Sequence, residues 1–292
     1  MFHGSIVALV TPMDENGVID IEALRQLVEW HIEQGTDGIV ISGSTGESAT
    51  LDYTERKIIL QVAIDQAKGR IPIIAGTGTS ATAFTIELTQ SAMELGADAC
   101  LLVTPYYNKP TQEGLYQHFK AIADAVPIPQ ILYNVPSRTG CDLTATTVAH
   151  LAVLPNIIAI KEATGDLKRA QEIWALTQDH KLDLFSGDDP TCLDFMLLGG
   201  RGVISITANV APKAMHDLCL EALLGNKTRA TAINDKLANL HVKMCIESNP
   251  IPVKWALQQM GKIPKGIRLP LTPLSERYHA VLKEAMIEAG VL

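Results

Sequence analysis

One lysine ends an otherwise apolar run, Asn156-Ile157-Ile158-Ala159-Ile160-Lys161-Glu162. A lysine so placed either snorkels its ammonium to water or stays desolvated inside the protein. Desolvation disfavours the ammonium and supplies the neutral amine that Schiff-base chemistry needs. Taken alone, Lys161 is equally compatible with a structural ion pair. The segment Leu132-Tyr133-Asn134-Val135-Pro136-Ser137-Arg138 adds a phenol and a guanidinium. Arg138 offers a bidentate fork for a carboxylate, or a partner for a structural acid. Tyr106 and Tyr107, in Thr104-Pro105-Tyr106-Tyr107-Asn108, either cap the core or join Tyr133 in one pocket, where phenols could move protons.

Gly-rich turns supply further candidates. Gly43-Ser44-Thr45-Gly46-Glu47 brings two hydroxyls and free N–H groups to a turn, enough to hold a carboxylate or phosphate, unless it is an ordinary tight turn. Gly76-Thr77-Gly78-Thr79-Ser80-Ala81 fits the dinucleotide fingerprint GxGxxG/A formally. No acidic residue ends the next strand to take a ribose hydroxyl, so a nicotinamide site is rejected. Ser186-Gly187-Asp188-Asp189 resembles a cation site, but Pro190 at the first helical position favours a helix N-cap.

These residues lie at the ends of eight short apolar runs: Ser5–Val10, Gly38–Ser42, Ile71–Ala75, Ala99–Val103, Gln130–Asn134, Ile157–Lys161, Leu182–Ser186 and Gly202–Ile206. Near-continuous apolarity suits parallel strands covered on both faces, and the spacing suits βα units. Helix-start signals lie between them, at Asp20, Thr111 and Asp188/Asp189. The pattern predicts an α/β fold, a closed (β/α)8 barrel over 1–224, in which βα loops carry the chemistry. Three helices, Asn226–Glu247, Val253–Met260 and Leu274–Ala289, are expected in a small all-α extension over 225–292, packed on the barrel, with prolines breaking the connections.

Composition narrows the function. The 292 residues carry 24 Lys+Arg against 32 Asp+Glu, a net charge of -8, with no basic cluster. That argues against nucleic-acid and anionic-membrane partners. No apolar stretch approaches the length of a membrane span, and the first residues lack a signal-peptide pattern, so a cytoplasmic protein is expected. The five scattered cysteines read as mostly buried, reduced thiols, and the eight histidines show no metal-ligand spacing, so no metal is expected.

Taken together, Lys161 ending strand six, Tyr133 ending strand five and the turn Gly43–Glu47 resemble the pyruvate-dependent class I lyase and aldolase family, which includes N-acetylneuraminate lyase. The resemblance extends over Val103–Asn108, Ile131–Gly140, Ile160–Gly165, Gly202–Ser205 and Asn249–Lys254, essentially the full chain. It implies a lyase of lysine and diaminopimelate biosynthesis that joins pyruvate, held as an imine on Lys161, to L-aspartate 4-semialdehyde. Tyr133 is then the proton donor and acceptor, with Ser44 and Tyr107 relaying protons. Thr45 and the backbone at Ile204 hold the pyruvate end, Arg138 takes the carboxylate of the semialdehyde, and Gly187 contributes to substrate binding. No cofactor is implied beyond the covalent imine, and Tyr107 reaching a neighbouring subunit implies a homodimer or a dimer of dimers. Ser44 stands where many relatives of this specificity carry threonine, which keeps open a sibling aldolase acting on a longer hydroxy- or keto-acid. A non-catalytic barrel would be expected to have lost some of these groups.

In lysine-sensitive relatives an inhibitory pocket corresponds here to Ser48, Ala49, Tyr53, Arg56, Ser80, Phe84 and Tyr106. Phe84 replaces a glutamate that would face the lysine ammonium, Tyr53 and Arg56 replace histidines, and Ser80 replaces asparagine. Feedback by L-lysine is therefore expected to be weak or absent.

Overall fold

The computed structural model describes residues 2–292. Its eight strands are β1 (Gly4–Ala8), β2 (Gly38–Ile41), β3 (Ile73–Gly76), β4 (Ala99–Val103), β5 (Gln130–Asn134), β6 (Ile157–Glu162), β7 (Asp183–Ser186) and β8 (Gly202–Ser205). They pair in parallel and in chain order, and β8 returns to β1 with Ile6 opposite Ile204, so the sheet is a closed barrel. The helices of this part are α1 (Ile21–Glu33), α2 (Tyr53–Ala67), α3 (Thr82–Leu95), α4 (Gln112–Ala125), α5 (Pro136–Thr139), α6 (Ala145–Leu151), α7 (Leu167–Thr177), α8 (Cys192–Leu197) and α9 (Pro212–Leu223).

Side-chain alternation along each strand divides the core in two. Ile6, Ala8, Val40, Ile74, Leu101, Ile131, Ala159, Phe185 and Ile204 pack together inside the barrel. Their neighbours Val7, Ile39, Ile41, Cys100, Leu102, Leu132, Ile160 and Leu184 face outward into the layer beneath the helices. Both faces are dry, which is why the strands read as continuous apolar runs. Local signals set the helix starts: Asp20 accepts from Ala23 N at 2.9 Å and Thr111 from Gly114 N at 3.1 Å. A capping box joins Asp52 and Glu55 at the start of α2.

Beyond α9 come α10 (Lys227–Lys243), α11 (Ile251–Gln259) and α12 (His279–Glu288). Three expected boundaries need correction, the first being α10, which ends at Lys243 rather than at Glu247. Helix α11 begins at Ile251, so Pro252 lies inside its first turn, where a missing N–H costs no helical bond. The last helix starts at His279, after a 3-10 turn at Glu276–Tyr278, rather than at Leu274. This C-terminal segment packs over the end of the barrel. Lys254 forms a buried ion pair with Glu47, and Arg268 pairs with Glu55 at 2.5 Å and donates to Thr50 O at 2.8 Å.

Candidate active site

Period-two alternation delivers the lysine. On β6, Ala159 and Lys161 point inward while Ile160 and Glu162 point out, and Tyr133 on β5 is directly opposite Lys161. Lys161 is only 5% exposed, with its Nζ 4.3 Å from the centre of the Tyr133 ring. Burial pushes its pKa down to about 8; Asp189 opposes the shift and Arg138 adds to it. Burial also pushes the Tyr133 phenol up to about 12, while the Arg138 charge and the nearby Ser44 hydroxyl pull the other way. At neutral pH Tyr133 therefore carries its proton, beside an amine of which a useful fraction is neutral. Glu162, on the outer face, stays with Asn134 Nδ2 at 3.0 Å and Thr164 N at 2.8 Å.

Around the amine lies a cavity of about 180 Å³. Ser44 and Thr45 enter it from the turn after β2, Arg138 from the short helix α5, and Gly187 from the end of β7. Gly187 has a steric reason: a Cβ there would lie 2.9 Å from Lys161 Cε and 2.6 Å from Ala163 Cβ. A second cavity of about 320 Å³ adjoins the first, sharing Ser44, Val135, Arg138 and Asn249. The turn is fixed from outside the barrel. Glu47, in a left-handed conformation at φ 57°, puts its carboxylate on Lys254, and Asn249 Nδ2 donates to Thr45 Oγ1 at 2.9 Å. Burial lowers the Lys254 pKa, and the Glu47 charge works against that shift.

Other expected site residues are placed differently. The contribution expected of Ile204 is its backbone; its side chain packs inside the barrel, and Ile206, just past the end of β8, lines the cavity. Tyr107 does not join Tyr133 within one chain. It is 93% exposed on the loop after β4, with φ at 76°. Tyr106 lines the adjoining cavity instead. Cys245 and Asn249, neither of them expected, reach the cavity from the C-terminal segment. Asn249 opens the segment Asn249–Lys254 that carries the resemblance, but no chemical spacing marks either residue as a site group, because both precede α11 on an irregular stretch.

The remaining motifs resolve on packing grounds. A Cβ on Gly76 would lie 2.3 Å from Ser42 O and one on Gly78 2.4 Å from Val103 N, so these glycines let neighbouring backbones approach. Asp188 caps the 3-10 turn at Asp189–Thr191, whereas Asp189 Oδ2 accepts from Ile206 N at 3.0 Å and Thr207 N at 2.8 Å. Of the positions corresponding to the inhibitory pocket, Ser48 and Ala49 line the adjoining cavity with Tyr106. The Tyr53 and Phe84 rings lie 6.5 Å apart, and Ser80 O accepts from Asn108 Nδ2 at 2.9 Å. Arg56 folds back onto the carbonyls of Ser48 and Leu51. The five cysteines are free, four of them buried and Cys245 exposed. Among the described residues, no helix is long and apolar enough to cross a membrane.

A closed (β/α)8 barrel with a buried lysine at its mouth, beside a phenol and a hydroxyl-bearing turn, has the architecture of a barrel enzyme. The model of the dihydrodipicolinate synthetase family matches residues 1–289. The chain is 60% identical to 4-hydroxy-tetrahydrodipicolinate synthase of Coxiella burnetii over 291 residues, covering 100% of this chain and 99% of that one. It is 59% identical to the Pseudomonas aeruginosa enzyme of the same name, with both chains covered completely. The crystal structure of chloride-inhibited dihydrodipicolinate synthase from Acinetobacter baumannii, complexed with pyruvate, superposes with a TM-score of 0.98 at 56% identity, covering 100% of both chains. The chain belongs to the dihydrodipicolinate synthetase family, and it is a lyase.

Proposed function

We propose that the chain condenses pyruvate with L-aspartate 4-semialdehyde to give (2S,4S)-4-hydroxy-2,3,4,5-tetrahydrodipicolinate, in lysine and diaminopimelate biosynthesis. The observation that carries this reading is Lys161, buried on the inner face of β6 with its pKa lowered to about 8, against the Tyr133 ring. Its neutral Nζ attacks the pyruvate ketone, water leaves, and an imine forms. Loss of a methyl proton gives the enamine, whose carbon attacks the aldehyde. The amine of the semialdehyde then displaces Lys161 as the ring closes.

Tyr133 has the protonation state for a donor at neutral pH, and Ser44 lines the same cavity. Thr45 supplies a hydroxyl for the pyruvate carboxylate, and Arg138, at the junction of the two cavities, supplies a fork for the second carboxylate. That arginine favours this pair of substrates over the longer acids of a sibling aldolase. The imine itself is the electron sink, so the reading needs no cofactor. Tyr107, projecting into solvent on a strained backbone, suits a relay completed by a neighbouring copy, in a homodimer or a dimer of dimers. The cytoplasm, where free thiols persist, is the setting this reading implies.

The test is borohydride reduction in the presence of pyruvate, followed by mass mapping and then by product detection with aspartate semialdehyde. The label is expected on Lys161, and Lys161→Ala and Lys161→Arg are expected to abolish it, since a guanidinium does not deprotonate. A label on Lys109 or Lys254 would overturn the assignment.

A further inference from the structure

We infer that Asn249 is a positioning residue that sets the direction in which the Thr45 hydroxyl donates. The inference rests on the functional reading above, in which Thr45 binds the pyruvate carboxylate. A threonine hydroxyl has one hydrogen and two lone pairs. Asn249 Nδ2 donates to Thr45 Oγ1 at 2.9 Å between two buried side chains, and among the described residues this is the only hydrogen bond of that hydroxyl. With a lone pair occupied by the amide, the hydroxyl hydrogen is left without a protein acceptor. Both residues line the cavity around Lys161, so a carboxylate placed there is the acceptor that completes the set.

Two further observations point the same way. Asn249 Oδ1 is buried with no hydrogen-bond partner, so the side chain is anchored through its N–H₂ group alone. The bond to Thr45 is then the one contact that fixes how this amide is turned. The backbone of Asn249 is also engaged, since its carbonyl accepts from Arg138 Nη2 at 3.5 Å. One residue of the C-terminal segment therefore touches both groups proposed to receive carboxylates. It aims the first through its side chain and lies at the edge of hydrogen-bond reach of the second through its backbone carbonyl.

The opposite orientation of the amide would make Thr45 the donor to Asn249, and the two arrangements respond differently to charge. Asn249→Asp presents only acceptors. It draws the Thr45 hydrogen away from the cavity and sets a carboxylate against the pyruvate carboxylate.

The test is a double-mutant cycle in the full chain: wild type, Asn249→Ala, Thr45→Val and the double variant, with Asn249→Asp as an isosteric fifth protein. Thermal unfolding checks that each is folded. The readouts are the pyruvate concentration giving half-maximal borohydride trapping, and the steady-state KM and kcat for pyruvate. Asn249→Ala is expected to raise half-saturation about tenfold, the scale of one charge-assisted hydrogen bond. In the Thr45→Val background the same change is expected to add less than about twofold, because the pair acts as one unit. Asn249→Asp is expected to weaken pyruvate binding more than the alanine does. Multiplicative effects of the two substitutions, or wild-type half-saturation in Asn249→Asp, would overturn the inference while leaving the function standing. Failure of the wild type to form any pyruvate imine would overturn both.

Discussion

The pH dependence of imine formation tests the electrostatics of the site directly. An ordinary lysine with a pKa of 10.5 is about 0.03% neutral at pH 7, whereas one at about 8 is about 10% neutral, roughly 300 times more nucleophile. The reactive form is the neutral amine. The rate at saturating pyruvate is therefore expected to rise with pH, bend near 8 and flatten above it. The neighbours give two perturbations of opposite sign. Asp189 holds the Lys161 pKa up and Arg138 presses it down, so Asp189→Asn moves the bend to lower pH and Arg138→Ala to higher. Asparagine retains an acceptor for the N–H groups of Ile206 and Thr207, which preserves the local backbone. The assay is timed trapping with cyanoborohydride from pH 6 to 10, read by intact mass. A rate still climbing tenfold per pH unit at pH 10 would show that Lys161 is not desolvated, and shifts of the same sign in both variants would refute the assigned neighbours.

Lys254→Met strands the carboxylate of Glu47, whose side chain is 0% exposed, and is expected to cost about 3–5 kcal/mol of stability. Adding Glu47→Gln removes the stranded charge, so urea denaturation of the double variant is expected to recover much of that loss. Arg138→Ala is expected to weaken use of aspartate semialdehyde by about 1.5–3 kcal/mol in kcat/KM, while pyruvate trapping continues; equal loss in both steps would mark Arg138 as structural. L-lysine is expected to half-inhibit initial rates only above about 1 mM, roughly -4 kcal/mol of binding. The Tyr53–Phe84 ring pair offers an ammonium no carboxylate, and two Arg56 donors are occupied by Ser48 and Leu51 carbonyls.

The barrel was readable because its strands are buried on both faces, so each stands out as an apolar run, and Lys161 interrupts one of them at its end. Asp20 and Thr111 were readable as caps because capping chemistry is local to three residues. Ile206 lies one residue past β8 in a helical backbone conformation, so strand alternation does not announce its place in the cavity wall. Asn249 and Cys245 carry no periodic signal and meet the cavity only through the packing of the C-terminal segment. Exposure of Tyr107 is likewise a property of a loop conformation, which residue type alone does not encode.

The groups that steady the turn after β2 come from far along the chain: 204 positions separate Thr45 from Asn249, 207 separate Glu47 from Lys254, and 221 separate Glu47 from Arg268. During synthesis from the N-terminus, every strand of the barrel leaves the ribosome before any of these three partners. When its eight strands have emerged, a nascent chain thus still lacks every brace of the turn proposed to receive the first substrate. Competence waits on the segment beyond α9, and a chain cut short there is left without the groups that brace the mouth of the barrel.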